Sequence, residues 1–578
     1  MVFLSASLML LGGAFSQLSY QEAWSKEQAD RQKFAAVIYG LKATDGELRD
    51  AVAGLRSLAE WCSSEPIRGL KSPGGSPNLF YQRNDIFLDE LSGLARLRDA
   101  DGVRSVVRTL HDSLTAPDTW LTGSNVAFYS LYANNIAHNE YLLKLPKDAE
   151  VARLVADLSM RDPGRVYRGT PYLTDDEKRL TAADRVAGLS MIWSEAKYNF
   201  ANFDLVSGLD WDEAYRTYLP LVSGAKDRYA YYNLLREFMA LLKDSHTDVG
   251  LPSSLAMEKE FRPPLYTQLV EGKVVVGREP SVEVAALGFK KGDVIEQIDG
   301  VDAVAYGVSR WGKLVSCSTP QDRAVRIYTY MLLRGPLGVP VRLGCLTADG
   351  RRVARVLPRA KSLSGVAIPP SSFKILPDGT AYFAFNTSES NEPAESFLKH
   401  LPEIQAAGKL VIDCRMNDGG NTDVGYSILG HLVSKSFVGC KWQTADYRPS
   451  FRTWNQAMTP YEGSSTVEAV GPLFDGPVVV LTSARTFSAG EDFVAAFRTA
   501  HRGKIVGEAT GGSTGSPLGF ALPGGGRARV CTKRDRMGEG TEFVGRGILP
   551  DVVVAETVES MQRGLDLGLS AGLGCFGR

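Results

Sequence analysis

What the 578-residue chain lacks narrows it first. Its 65 Lys and Arg nearly balance 66 Asp and Glu, a net charge of −1, so there is no basic footprint for nucleic acid and no charge run for a polyionic partner. Cysteine is scarce: Cys62, Cys317, Cys345, Cys414, Cys440, Cys531 and Cys575 show neither CxxC spacing nor a His-linked metal pattern. Their odd number leaves one unpaired in a monomer, and Cys317 with Cys345 is the one pair worth testing as a disulfide. Long apolar runs are missing too. The start, MVFLSASLMLLGGAFSQ, is too short to span a bilayer comfortably. Residues 1–16 resemble a secretory signal peptide, with small residues near Ala14 and Ser16 and no cysteine placed for a lipid anchor, so a periplasmic or secreted protein without a membrane anchor is expected. The length suggests about three or four domains, and nothing in the sequence reports an oligomeric state.

The most informative stretch is Gly476–Arg498, GPVVVLTSARTFSAGEDFVAAFR. Val478–Leu481 is continuous, β-branched and apolar, as in a strand covered on both faces. Helix-forming residues follow Gly490, so the chain passes from strand into helix near Ser488. Helix N-termini present unpaired N–H groups, and a nucleophile there sits beside donors for an oxyanion. Serine is equally a good N-cap, so the catalytic reading needs partners elsewhere.

Three segments offer them. His246, in LLKDSHTDVG (Leu241–Gly250), lies where a helix gives way to a turn, a setting that His111, His138, His400, His431 and His501 lack. Lys409–Gly420, KLVIDCRMNDGG, is an apolar strand ending in Gly419-Gly420, which can turn sharply and bring bare N–H groups to a ligand. Thr541–Val554, TEFVGRGILPDVVV, sets Glu542 before a glycine-rich turn and a last apolar strand.

In this order the segments resemble the core of the C-terminal-processing, or tail-specific, serine peptidases, and most closely the tricorn-core branch. The resemblance rests on Asp244–Thr247 (DSHT), Ile412–Gly420 (IDCRMNDGG), Thr482–Glu491 (TSARTFSAGE) and Gly545–Asp551 (GRGILPD), and spans Asp184 to Val554. One branch of that family uses a lysine as base at a position that falls here on Ser513, and no lysine occurs between Lys504 and Lys533. The resemblance therefore implies the other design, a tetrad of Ser488, His246, Ser245 and Glu542. In it His246 is the base, and Ser245 and Glu542 hold its tautomer. Asp244, Glu491 and Glu539 are rival carboxylates, and Glu542 stands ahead only by matching the family position. The resemblance also implies an oxyanion hole from the N–H groups of Ala489 and of Gly419 or Gly420, and no metal or organic cofactor.

Residues 262–358 look like a PDZ domain, with turns at Gly292-Asp293 and Asp299-Gly300; such a domain binds an extended peptide at a sheet edge. The expected architecture is multidomain α+β: a helical N-terminal domain (17–165, with a Gly-Ser-Pro break at Lys71–Pro77 and a linker at Arg161–Pro171), a helical cap carrying His246 (175–260), the PDZ-like domain, an α/β crotonase-like or ClpP-like peptidase core (365–560) and a tail helix (561–578). Trp211, Tyr215 and Tyr218 of the cap read as core aromatics. The expected activity is hydrolysis of unstructured polypeptides, with their C-terminal segments as partners. The alternative is a non-proteolytic scaffold or hydrophobic-ligand binder on the same fold, as in the interphotoreceptor retinoid-binding proteins.

Overall fold

The structure, a computed structural model, describes residues 20–40, 43–64, 79–116, 148–161 and 180–577, with isolated positions between 67 and 146. The apolar start, the Lys71–Pro77 break and all of the proposed linker but Arg161 lie outside them. The chain divides into two compact units, Met1–Thr170 and Pro171–Arg578.

The first unit is helical: Tyr20–Tyr39, Asp45–Ser63, Leu79–Arg96, Ala100–Thr115 and Ala149–Met160. Asp45–Ser63 starts on a capping box in which Thr44 and Glu47 exchange side-chain-to-backbone hydrogen bonds. Its apolar residues recur every three or four positions, Leu48, Val52, Leu55 and Cys62 among them, and so fall on one buried stripe.

The second unit is built on strands whose sequence predicts burial on both faces. Leu410–Asp413 and Val478–Thr482 are buried along their whole length. They lie at the middle of a six-stranded sheet ordered Val552–Val553, Gly503–Gly507, Val478–Thr482, Leu410–Asp413, Ala381–Phe385 and Ser371–Ile375. All neighbours are parallel except the last pair. Phe383, Ile412 and Val480 pack with Phe397 and Phe493, from the helices Glu392–Ala407 and Ala489–Thr499. On the opposite face Val411, Val479 and Leu481 meet Leu569 and Phe576. The expected single tail helix is thus two short ones, Val558–Gln562 and Leu567–Gly574. Gly564 at φ 68° breaks the run, and Asp566 caps the second piece, which covers the sheet.

The cap contributes Ala182–Asn199, Trp211–Ser223 and Arg228–Ala240, where Trp211 stacks on Phe238 at 4.1 Å as a core residue. The chain then forms Asp248–Gly250, which pairs antiparallel with Gly526–Cys531; that strand pairs in turn with Pro517–Leu522. Residues 262–358 hold a separate antiparallel sheet ordered Thr267–Val270, Lys273–Val276, Val294–Ile298, Val341–Leu346 and Arg352–Leu357, leaving Thr267–Val270 with one free edge. Asp299 and Gly300 both have positive φ, 48° and 85°, in the tight reversal that pairs Ile298 with Val301. Cys317 and Cys345 are not bridged; all seven cysteines are free thiols, and Cys345 points into the core of this small sheet. No helix among the described residues is long and apolar enough to cross a membrane.

Tyr232 ties the cap to the core: its buried hydroxyl donates to the Pro523 carbonyl at 2.8 Å and accepts the Gly526 N–H at 2.8 Å. Tyr232→Phe leaves both backbone groups unsatisfied and should lower stability by about 2 kcal/mol. Urea unfolding read against wild type checks this; an unchanged midpoint contradicts it.

Candidate active site

The site sits beyond the carboxyl ends of the two central parallel strands, where open α/β sheets place ligands. After Val478–Thr482 the loop is pinned to its neighbour: Ser483 Oγ donates to the Arg415 carbonyl and Thr486 Oγ1 to that of Cys414. Ser488 follows at φ 54°, ψ −126°, a conformation that costs a non-glycine residue about 1–3 kcal/mol. It is held there because the Ser488 N–H donates to the Ser513 carbonyl and the Phe487 N–H to that of Asn417. Ser488 makes no side-chain cap to its helix, which disposes of the N-cap reading. Its hydroxyl instead lies 2.9 Å from His246 Nε2.

His246 is brought there by the three-stranded sheet, which starts two residues after it. The loop before that strand is set by Asp244, which accepts the His246 N–H, the Thr247 hydroxyl and the Asn202 amide. Burial pushes the His246 pKa well below 6.5, and Arg529, Arg326 and Lys533 push it further the same way. The imidazole stacks on Phe487 at 4.7 Å with 6° between planes, and the Arg326 guanidinium lies 5.4 Å from the centre of the Phe487 ring.

On the far side of the ring, His246 Nδ1 lies 2.8 Å from Ser513 Oγ. With Nε2 accepting from Ser488, Nδ1 carries the proton and donates to Ser513. Behind Ser513 stands Glu491, fully buried, whose carboxyl accepts the Ser513 N–H, the Gly512 N–H and the Thr510 hydroxyl. Burial raises Glu491 to about 8.

Two of the four expected tetrad members are elsewhere. Ser245 points away from the imidazole: its hydroxyl donates to buried Asp322 at 2.5 Å, and Arg326, paired with Asp322 at 2.7 Å, takes the Ser245 carbonyl. Ser245 and His246 are the two central residues of a turn closed by the Thr247 N–H on the Asp244 carbonyl, and their side chains leave it towards different partners. Glu542 is 38 % exposed and paired with Arg536 at 2.8 Å. Of the rival carboxylates, Asp244 sets the loop backbone, Glu539 accepts from Thr499, and Glu491 alone reaches the loop that touches the imidazole. Ser513 was legible only as the position where a lysine is missing.

Gly419 has φ 109°, and a Cβ there would come within 2.6 Å of Ser488 Cβ; on Gly420, at φ 132°, it would meet the Ser388 backbone at 2.2 Å. The Gly419 N–H is taken by Asn417 Oδ1. Among the described residues, the N–H groups of Gly420 and Ala489 donate to no protein acceptor. Ala489 follows Ser488 in the chain, and Gly420 and Ser488 both line a cavity of about 350 Å³ together with His246, Phe487, Tyr330, Arg485 and Pro517.

Residues 379–554 match Peptidase family S41, and residues 184–240 match the Tricorn protease C1 domain. The chloroplastic C-terminal processing peptidase of Tetradesmus obliquus is 25% identical over 360 residues, covering 60% of this chain and 72% of its own. The carboxyl-terminal-processing protease of a Picosynechococcus species is 24% identical over 349 residues, 57% of this chain and 74% of its own. Among solved structures, mature CPAF aligns at 15% identity over 68% of this chain and 96% of that one, with a TM-score of 0.53, a likeness of fold. The first match contains Ser488, Ser513, Glu491 and the glycine pair, and the second covers the helices that lead to His246. Residues 379–554 thus carry a peptidase family S41 domain, and the chain is a serine peptidase.

Proposed function

We propose that Ser488, His246 and Ser513 form the hydrolytic centre of an endopeptidase that processes unstructured polypeptides near their C-termini. The observation carrying this reading is the continuous hydrogen-bonded line from Ser488 Oγ through both ring nitrogens to Ser513 Oγ. As Ser488 Oγ attacks the scissile carbonyl carbon, its proton passes to His246 Nε2. The carbonyl oxygen becomes an oxyanion facing the N–H groups of Gly420 and Ala489. The intermediate collapses when the imidazolium returns the proton to the leaving amine, and water activated by the same Nε2 hydrolyses the acyl-serine. Ser513 fixes the tautomer by accepting the Nδ1 proton, the office that a carboxylate performs in the Ser-His-Asp template. Glu491 holds Ser513 through its backbone.

Two features support the substrate reading. A cavity of about 780 Å³ adjoins the catalytic one through Val325, Ala484 and Arg485, and it is lined by Gln268, Leu269 and Val270 of the free-edged strand. An extended segment can add to that edge, in the manner of a PDZ domain, and continue towards Ser488; a folded domain must first unfold locally to do so. The apolar residues 1–16 support export to a periplasmic or extracellular location.

Ser488→Ala should abolish cleavage of an unfolded substrate while circular dichroism stays unchanged, and a serine-reactive phosphonate should label wild type at Ser488 only. A wild-type protein that is neither labelled nor able to cleave would return the chain to the non-proteolytic ligand-binding alternative.

Ser513→Ala should lower kcat by about ten- to hundredfold with little change in KM, because the imidazole loses the partner that orients it. Glu542→Gln should stay within about twofold of wild type, since it removes only one partly exposed ion-pair partner. The reverse ranking restores the tetrad expected from sequence.

The pH profile follows from the depressed His246 pKa. Activity needs the neutral ring, and protonation sets in only well below pH 6.5, so the acid limb of kcat/KM should fall below that value. A limb at or above pH 6.5 would show that burial and the surrounding cations do not act on the base.

A further inference from the structure

Where the two cavities meet, two guanidinium groups crowd one tyrosine. Arg278 lies 4.8 Å from the centre of the Tyr266 ring and Arg485 lies 5.4 Å from it. Arg485 also donates to the Tyr266 and Tyr330 hydroxyls, both at 3.2 Å. Its side chain is only 12 % exposed, and the nearest carboxylate is the half-exposed Asp418 at 3.8 Å. Arg278 has no carboxylate within 4.0 Å among the described residues. Of the acids of the larger cavity, Asp413 and Asp566 hold Arg415, Glu271 accepts the Val558 N–H and Glu556 accepts from Ser560, while Glu508 lines the same cavity and lies beyond ion-pair distance of both arginines.

Two like charges held together and partly desolvated are unfavourable unless an anion joins them. Other arginines at the site do not share this condition, since Arg326 is paired with Asp322 and Arg529 with Asp248. Tyr266 carries the arrangement, because its ring faces both cations while its hydroxyl fixes Arg485. The two arginines come from different parts of the unit, Arg278 just after the strand Lys273–Val276 and Arg485 from the loop before Ser488. They line the cavity into which the free strand edge opens.

We propose that Arg278 and Arg485, organised by Tyr266, are an anion subsite that takes a carboxylate of the bound polypeptide. The subsite deepens the peptidase reading and rests on it. Arg485 is three residues before Ser488, at most about 11 Å along extended backbone, so the carboxylate belongs to a residue within a few positions of the scissile bond. Two sources present that chemistry: the free C-terminus of the chain, and an Asp or Glu side chain near the cut. The subsite therefore sets which bond is chosen as well as how tightly the segment is held.

The test measures binding before cleavage. Fluorescent unfolded peptides are titrated into Ser488→Ala protein in four matched forms: free or amidated C-terminus, each with Glu or Gln at the positions around the cut. The carboxylate-bearing form should bind at least about tenfold more tightly, and Arg278→Gln or Arg485→Gln in the same background should remove most of that difference. A preference confined to the free terminus identifies the terminal carboxylate as the ligand, and one that follows Glu identifies the side chain. Equal affinity across the four forms, or a preference that survives both Arg variants, overturns the subsite. In otherwise wild-type enzyme, Arg278→Gln should lower kcat/KM for the acid peptide about tenfold more than for its neutral match. Phosphonate labelling of Ser488 in the same preparation separates failure of the subsite from failure of the peptidase chemistry, because labelling does not require the arginines.

Discussion

The hydrogen bond between His246 and Ser488 joins residues 242 positions apart, and much of the second unit serves to close that loop. Closing so long a loop costs conformational entropy that rises only slowly with length, but the ends must then be held to within tenths of an ångström. The protein does this with two sheets that meet at the site. The parallel sheet aims Ser488 from the end of a fully buried strand. The short antiparallel sheet holds His246 just before its first strand and the loop of Ser513 just before the strand Pro517–Leu522. Small movements of one sheet against the other would open both bonds of the imidazole, so Tyr232 and Thr247, which hydrogen-bond to the Pro523–Gly526 turn and to the Cys531 N–H, fix the cap to the hairpin where precision matters.

The character of the base follows from what surrounds it. A carboxylate beside the imidazole would raise its pKa; here a hydroxyl takes the Nδ1 proton, and the charges nearby are Arg326, Arg529 and Lys533. The ring is thus a weaker base than in an aspartate-backed triad, and it remains neutral over a wider range of pH. Less driving force for proton removal is offset in part by having nearly every molecule in the reactive protonation state. An anionic substrate group beside Arg278 and Arg485 would also reduce the positive field around His246, so recognition and base strength are electrostatically linked.

Much of this was legible in the sequence, and the limits have physical causes. Val478–Thr482 and Leu410–Asp413 announced themselves by unbroken apolar runs, and Ser488, His246 and the glycine pair by local turn chemistry. Ser513 did not, because a hydroxyl in a run of Gly, Ser and Thr carries no signal until the fold sets it against an imidazole. Ser245 misled because adjacency in sequence is not adjacency in space. Glu542 misled for the complementary reason: its family position was matched, yet Arg536 and Arg534 offer it closer charges than the site does. Glu491 was named and set aside, although a buried carboxyl in the first turn of a helix buried from Ala489 to Phe497 has to find donors, and the loop carrying Ser513 supplies them.

Ser245 has a different consequence. Its hydroxyl and carbonyl are both gripped from the segment Ser316–Arg326, which belongs to the part of the chain holding the free-edged strand, and Thr319 and Gln321 of that segment reach the carbonyls of Gly511 and Thr510 beside Ser513. The short helix Pro320–Ala324 and the residues that flank it therefore touch both the loop of His246 and the loop of Ser513. Arg326 completes the arrangement, pairing with Asp322 while lying against the ring on which the imidazole stacks. On the proposed reading, a peptide that added to the strand edge would act on a domain that also clamps the loops of His246 and Ser513. In this chain the serine beside the histidine holds the histidine's loop to the part of the chain with the free-edged strand, and it is Ser513 that lies against the imidazole.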